Sequence, residues 1–238
     1  MLNIVTALKI EAESIIKKFR LKNKNGIYSN DEMNLIITGS GKVKCAINTA
    51  LLLHKYPYKT INFGICGSSV YDVGEGFYIN KITDLDSGFD YYPEFIKGSA
   101  NLFCLSKAEK YYPLVDMESS GFFEACYKFL SVEKILLYKI VSDTPNVTFN
   151  KNIVPKLIES HLHVIEENLE EEKESFVTEI EEYLNSCDLT FYQKNELKNL
   201  LIYMKLNNIP FEKVILNNKK EAKEFIKTLK DKITNLAF

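Results

Sequence analysis

The sequence predicts an α/β fold: a mixed, mainly parallel central sheet flanked by helices, with an added helical segment toward the C-terminal end. Three observations predict it. Short apolar, β-branched runs alternate with stretches whose apolar residues recur every three or four positions, up to about residue 145. Glycines punctuate the joins between them. Beyond residue 155 only the helical spacing remains. A chain of 238 residues accommodates one such domain with an extension, and the expected division is 1–185 for the α/β domain and 186–238 for the helical extension.

Taken in order, 2–7 (LNIVTA) reads as a strand, and Ala12, Ile15, Ile16 and Phe19 then fall at helical spacing. Residues 34–38 (NLIIT) form the next strand. After the turn Gly39-Ser40-Gly41, a helix is marked by Val43, Ala46, Ile47, Ala50 and Leu51 on one face. Segments 60–66 (TINFGIC) and 77–83 (FYINKIT) are strands, and 101–105 is a weaker one. Phe122, Phe123, Cys126, Phe129 and Leu130 mark a helix, and 135–141 (ILLYKIV) is a buried strand. Composition shifts near Pro145. Leu157, Ile158, His161, Ile165 and Leu169 then repeat at helical spacing, followed by Phe176, Ile180 and Leu184. The acidic stretch 166–174 reads as the solvated face of this helix. Two further helices, 191–204 and 219–233, flank a loop containing Pro210. Strands alternating with helices imply crossover connections, and functional residues in such sheets gather at the carboxyl ends of the strands.

Composition excludes several classes of function. Lys+Arg 30 against Asp+Glu 32 leaves no basic excess for a phosphate backbone, so no nucleic-acid partner is expected. Five widely spaced cysteines without a C-x-x-C pair argue against a disulfide framework and against a zinc site, and no metal is expected. The apolar run at the start stops at Lys9, too short for a secretion signal, and no run of membrane-spanning length occurs. A cytoplasmic protein that does not enter a membrane is the resulting expectation.

Two glycine motifs fail their tests. Gly39-Ser40-Gly41-Lys42 lacks the earlier glycine of a phosphate loop, since position 36 is Ile36, and Val43 stands where Ser or Thr belongs. Gly74-x-Gly76 lacks the third glycine of a dinucleotide fingerprint. His161 and His163, two apart on an expected helix, should point to opposite faces. With His54 they offer no cluster for acid/base work. Carboxylates remain. Glu11 follows the first strand, Glu118 opens a helix after Met117, and Asp143 ends an apolar strand before Pro145. Each has a plain structural role available: a first-turn acid in a helix for the two glutamates, a turn residue for Asp143. Together they place three acids at strand ends that one sheet could unite.

In their order these segments resemble the methylthioadenosine / S-adenosylhomocysteine nucleosidase branch of the nucleoside phosphorylase superfamily. The stretch Ala7-Leu8-Lys9-Ile10-Glu11-Ala12-Glu13 is similar to the family's first strand–helix junction, and Gly39-Ser40-Gly41-Lys42-Val43 to its G-x-G-K-V turn. The run Ile61-Asn62-Phe63-Gly64-Ile65-Cys66-Gly67 resembles its glycine-rich strand end, and Val73-Gly74-Glu75-Gly76-Phe77 its V-G-D turn. Val115-Asp116-Met117-Glu118 resembles the V-E-M-E segment, and Val141-Ser142-Asp143 the I-S-D segment. The resemblance covers about residues 1–165. The part beyond is similar to that of a subgroup of phosphorylase-like proteins whose genes lie near spore photoproduct lyase.

The resemblance implies hydrolysis of the N-glycosidic bond of a purine nucleoside, an adenosine derivative of the methylthioadenosine, S-adenosylhomocysteine or 5′-deoxyadenosine type, without a cofactor. Asp143 would protonate the purine N7 and Glu11 would orient or deprotonate the attacking water. Glu118 would accept hydrogen bonds from the ribose hydroxyls with Met117 beside the sugar. Cys66, Gly67 and Ser142 would line the substrate pocket, and Phe103 stands in for a base-stacking aromatic. A homodimer is implied because relatives complete their pockets across a two-fold interface. The segment between Asp90 and Met117 is shorter than in typical nucleosidases, and Ile65 replaces a small polar residue. Both departures leave open a nucleoside- or partner-binding protein without catalysis. Phosphorolysis is the other alternative; it needs cationic donors for phosphate, and Arg20 is the only arginine, with Lys42 a lysine near the relevant loop.

Overall fold

The structure is a computed structural model that describes residues 1–94, 96, 98–107, 112–170, 176–206 and 209–236. Residues 171–174 of the acidic stretch lie outside the described residues. The chain forms two compact units, Met1–Glu171 and Glu172–Phe238.

The first unit runs β1 (Leu2–Thr6), α1 (Lys9–Phe19), β2 (Lys22–Lys24), β3 (Ile27–Ser29), β4 (Met33–Ile37), α2 (Lys42–Lys55), β5 (Lys59–Gly67), β6 (Gly76–Asp84), β7 (Asp90–Tyr91), β8 (Ala100–Cys104), β9 (Val115–Asp116), α3 (Ser119–Tyr127), β10 (Ile135–Asp143), α4 (Val154–Ser160) and α5 (His163–Glu170). The sheet is mixed, and its longest ladders, β5 with β10, β1 with β4 and β6 with β8, are parallel. It runs β10-β6-β8-β9-β5-β1-β4-β3-β2, and β10 also pairs with β5, so five strands close into a ring. This is the architecture the alternating pattern predicts. The added strands β2, β3, β7 and β9 are two or three residues long, too short to show a period.

Side-chain alternation along the strands builds two apolar layers. On one face Val5, Cys66, Leu137 and Val141 pack with Cys45, Leu52, Phe122 and Cys126 from α2 and α3. On the other, Ile4, Phe63, Leu136 and Ile140 pack with Ala12, Ile15 and Ile158 from α1 and α4. Each fully buried Ile, Leu or Phe contributes about 1.5–3 kcal/mol, so these layers hold the strand ends in register.

Two expectations change. Helix α2 forms, but the stripe that marks it in the sequence is its outer face: Val43, Ile47 and Leu51 are 71%, 56% and 62% exposed, whereas Cys45, Thr49, Leu52 and Leu53 are buried. The chain also breaks between α4 and α5. His161 caps one helix and His163 opens the next, so their rings lie side by side at 5.9 Å instead of on opposite faces. His161 is nonetheless structural, with Nδ1 2.9 Å from the Tyr138 hydroxyl and Nε2 2.9 Å from the Gly74 carbonyl.

The second unit contains α6 (Phe176–Asn185), α7 (Phe191–Leu206) and α8 (Lys219–Leu236). Its core gathers Ile180, Tyr183 and Leu184 with Leu197, Leu201, Met204, Leu216, Ala222, Ile226 and Leu229. Helix α6 therefore packs with α7 and α8. No helix among the described residues is long and apolar enough to cross a membrane.

Candidate active site

Glu11 sits in the first turn of α1, directly after β1, and is buried. Its Oε2 accepts the Leu8 N–H at 2.6 Å and its Oε1 accepts the Ile65 N–H at 2.9 Å. The second bond requires β5 to come close, which glycine permits: a Cβ at Gly64 would stand 2.7 Å from Glu11 Oε1. Burial raises the Glu11 carboxyl to about 6, against the pull of the two N–H donors and of Lys139, and with a further push from Glu118. A carboxyl that titrates near neutrality is suited to exchanging a proton with water.

Glu118 lies at the junction of β9 and α3, also buried. The Ser40 hydroxyl and the Gly41 N–H each donate to its Oε1 at 2.8 Å, and the Met117 N–H lies 3.3 Å from Oε2. Gly39 and Gly41 adopt φ +80° and +103°, a conformation that glycine tolerates and that turns these donors toward the carboxylate. Burial first and the Asp116 charge second push the Glu118 carboxyl up, while Lys139, Gly41 and Ser40 hold it down.

Lys139 is a further residue of the site, a lysine inside the apolar run ILLYKIV whose partners the sequence does not reveal. Its ammonium lies 2.9 Å from Asp116 Oδ2, with both side chains almost wholly buried. Asp116 also accepts the Ser119 hydroxyl at 2.6 Å and the Ser119 N–H at 3.3 Å. Burial opposes the charge on Lys139, but Asp116, Glu118 and Glu11 outweigh it and raise the pKa. One cation thus faces three acids on three different elements.

Asp143 ends β10. The register Phe103–Val115–Gly67–Asp143 crosses four strands in one row, so three of the expected site residues share it. An extra residue at Ser142 breaks the β5–β10 register just before Asp143. The buried Ser142 hydroxyl lies 2.7 Å from Asp143 Oδ1 and 3.2 Å from the Cys66 carbonyl, and the Asp143 carbonyl accepts the Ser68 N–H at 2.9 Å. Burial pushes the Cys66 thiol well above the usual thiol range, so it presents a small neutral wall. The Phe103 ring packs against Tyr112, with centroids 4.8 Å apart. Tyr112 also went unnoticed in the sequence, where no period marks it.

Of the two cations that the sequence singles out for phosphate, one is committed elsewhere and the other is exposed. Lys42 Nζ is 2.7 Å from Asp84 Oδ1 and 2.5 Å from Asp86 Oδ2. Arg20 is exposed at the C-terminal end of α1.

Compared by sequence, the chain matches no protein-family model and no curated protein. Compared by structure, it resembles 5′-methylthioadenosine nucleosidase from Arabidopsis thaliana, with a TM-score of 0.63 at 14% identity over 72% of this chain and 96% of that one. It also resembles the nucleosidase CT263 (MTAN) from Chlamydia trachomatis, with a TM-score of 0.56 at 16% identity over 71% and 97% of the two chains. A third similar structure is 5′-methylthioadenosine/S-adenosylhomocysteine nucleosidase from Helicobacter pylori, with a TM-score of 0.55 at 15% identity over 71% and 97%. The chain has the fold of the 5′-methylthioadenosine/S-adenosylhomocysteine nucleosidases.

Proposed function

We propose that the protein hydrolyses the N-glycosidic bond of a purine nucleoside, an adenosine derivative of the methylthioadenosine, S-adenosylhomocysteine or 5′-deoxyadenosine type. The observation that carries this reading is the cluster of buried Glu11, Glu118 and Asp116 around Lys139, on the sheet that ends in Asp143. As the C1′–N9 bond breaks, its electron pair leaves with the purine and the ribose becomes cationic. Asp143 donates a proton to N7, which makes the base a better leaving group. Glu118 accepts hydrogen bonds from the ribose hydroxyls, and its negative charge stabilises the cationic sugar. Glu11 holds the water and takes its proton as oxygen bonds to C1′. A positioned acid contributes about 10²–10⁴ in rate. The Phe103–Tyr112 pair, with Phe103 in the same register row as Asp143, offers its rings to the base. The fold's likeness to nucleosidases that act on these compounds supports the same reading.

Water is the nucleophile in this proposal because Lys42 is paired twice with aspartates and Arg20 is exposed, so neither offers phosphate a charged fork. The chain acts as a homodimer. Beside the site, the outer face of α2 exposes Val43, Ile47 and Leu51, and the Lys42 ion pairs bring it against the turn carrying the exposed Leu85 and Phe89. An apolar face of this kind suits a second copy across a two-fold axis.

Incubation with methylthioadenosine, S-adenosylhomocysteine, 5′-deoxyadenosine, adenosine and inosine should release free base from at least one without phosphate. Release only with phosphate would make it a phosphorylase. Tight binding with no release would make it a nucleoside-binding protein.

A further inference from the structure

Lys42 is the residue of the G-S-G-K turn for which the reaction has no direct use, yet it is the most heavily tied lysine at the site's edge. Its side chain spans from the first residue of α2 to the turn after β6. There Asp84 Oδ1 also accepts the Asp86 N–H at 2.9 Å and the Ser87 N–H at 3.1 Å. Asp86 Oδ2 also accepts the Ser106 hydroxyl at 2.6 Å and the Ser106 N–H at 2.8 Å. Three segments, the start of α2, the turn after β6 and the stretch holding Ser106, are therefore tied together through one ammonium group and its two aspartates. On its other side Lys42 is held by shape: a Cβ on Gly121 would meet the Lys42 carbonyl at 2.2 Å, so α3 and the start of α2 are in direct contact. The residues immediately before Lys42, Ser40 and Gly41, are the ones that grip Glu118 Oε1.

We propose that Lys42 is a positioning residue: its ion pairs with Asp84 and Asp86 fix the Gly39–Gly41 turn, which fixes the Glu118 carboxylate, and this makes the site selective for nucleosides with a free 2′-hydroxyl. The proposal rests on the reading of Glu118 as the ribose-binding acid. Glycines at 39 and 41 give the turn no stiffness of its own, so its geometry has to be supplied from outside. Oε1 is fully occupied by the turn, which leaves Oε2 to accept from the sugar. A hydrogen bond to a charged acceptor is worth about 1.5–3 kcal/mol, which corresponds to roughly 10–150-fold discrimination against a 2′-deoxy analogue. That discrimination depends on where Oε2 stands.

The test compares adenosine with 2′-deoxyadenosine, by kcat/KM and by calorimetric affinity, in wild-type protein, Lys42→Met, Lys42→Arg and Asp86→Asn. Asp86 is half exposed, so Asp86→Asn weakens the clamp without opening the core and serves if Lys42→Met does not fold. We expect Lys42→Met and Asp86→Asn to lower the ribo/2′-deoxyribo ratio about tenfold, with most of the loss on the ribonucleoside. Lys42→Arg, which can still bridge the two aspartates, should keep the ratio within about threefold. Equal losses on both nucleosides, with the ratio unchanged, would overturn the proposal while leaving the role of Glu118 standing. If Glu118→Gln leaves the ratio unchanged, or the wild-type protein binds neither nucleoside, the ribose-binding reading falls and this proposal with it.

Discussion

Glu11 is held in two opposed ways, and the opposition is measurable. Two backbone N–H groups favour its ionised form, yet burial prevails and the carboxyl titrates at about 6 instead of 4.5. A raised carboxyl makes ionisation costly to the fold: the penalty is absent below pH 4.5, grows through pH 6 and is complete above it, at about 2 kcal/mol. Glu11→Gln carries no such penalty, so its stability relative to wild type should improve by about this amount between pH 4.5 and 7. Denaturant titrations at the two pH values check this, and a difference independent of pH would contradict it. The same group should set the acid limb of kcat/KM near pH 6. Lys139 stabilises the ionised acids around it, so Lys139→Met should move that limb upward. It should also cost about 3–5 kcal/mol by leaving Asp116 buried without its cation. A limb unmoved in Lys139→Met would show that its charge does not reach Glu11.

Among the elements, β5 carries the close approach on which Glu11 depends. Gly64 lets Glu11 lie against the strand, and Gly64→Ala should expel the carboxylate and cut kcat by about 10²-fold or more, while melting changes little. Wild-type turnover in Gly64→Ala would mean that Glu11 works from another position. Strand ends were legible in the sequence because apolar runs stop abruptly at Thr6, Gly67 and Asp143, and chemistry-bearing residues follow them. The side that a helix buries was not legible in α2. Its larger apolar residues, Val43, Ile47 and Leu51, face out, and smaller Cys45 and Thr49 are buried. Spacing reports a face but not what covers it. Nor could spacing bring His161 and His163 together, because the break between α4 and α5 is stabilised by tertiary bonds from His161 to Tyr138 and Gly74. Lys139 was hidden for a related reason: its partners Asp116, Glu118 and Glu11 come from distant segments, so its pairing exists only in the fold.

For the whole molecule, the proposed homodimer would cover the exposed outer face of α2. Light scattering should give about twice the mass of one chain, and Ile47→Glu with Leu51→Glu should return it to one; a single-chain mass for wild type would contradict the homodimer. The central claim concerns Asp143, and leaving-group dependence tests it most directly. Asp143→Asn keeps the size and the contact with Ser142 but has no proton to transfer. On a purine nucleoside kcat should fall by about 10²–10⁴-fold with little change in KM. On a nitrophenyl thioriboside, whose leaving group departs without protonation, Asp143→Asn should recover most of the wild-type rate, while Glu118→Gln and Glu11→Gln stay impaired. An equal loss on both substrates would show that Asp143 is not the acid, and the reaction would need another proton donor.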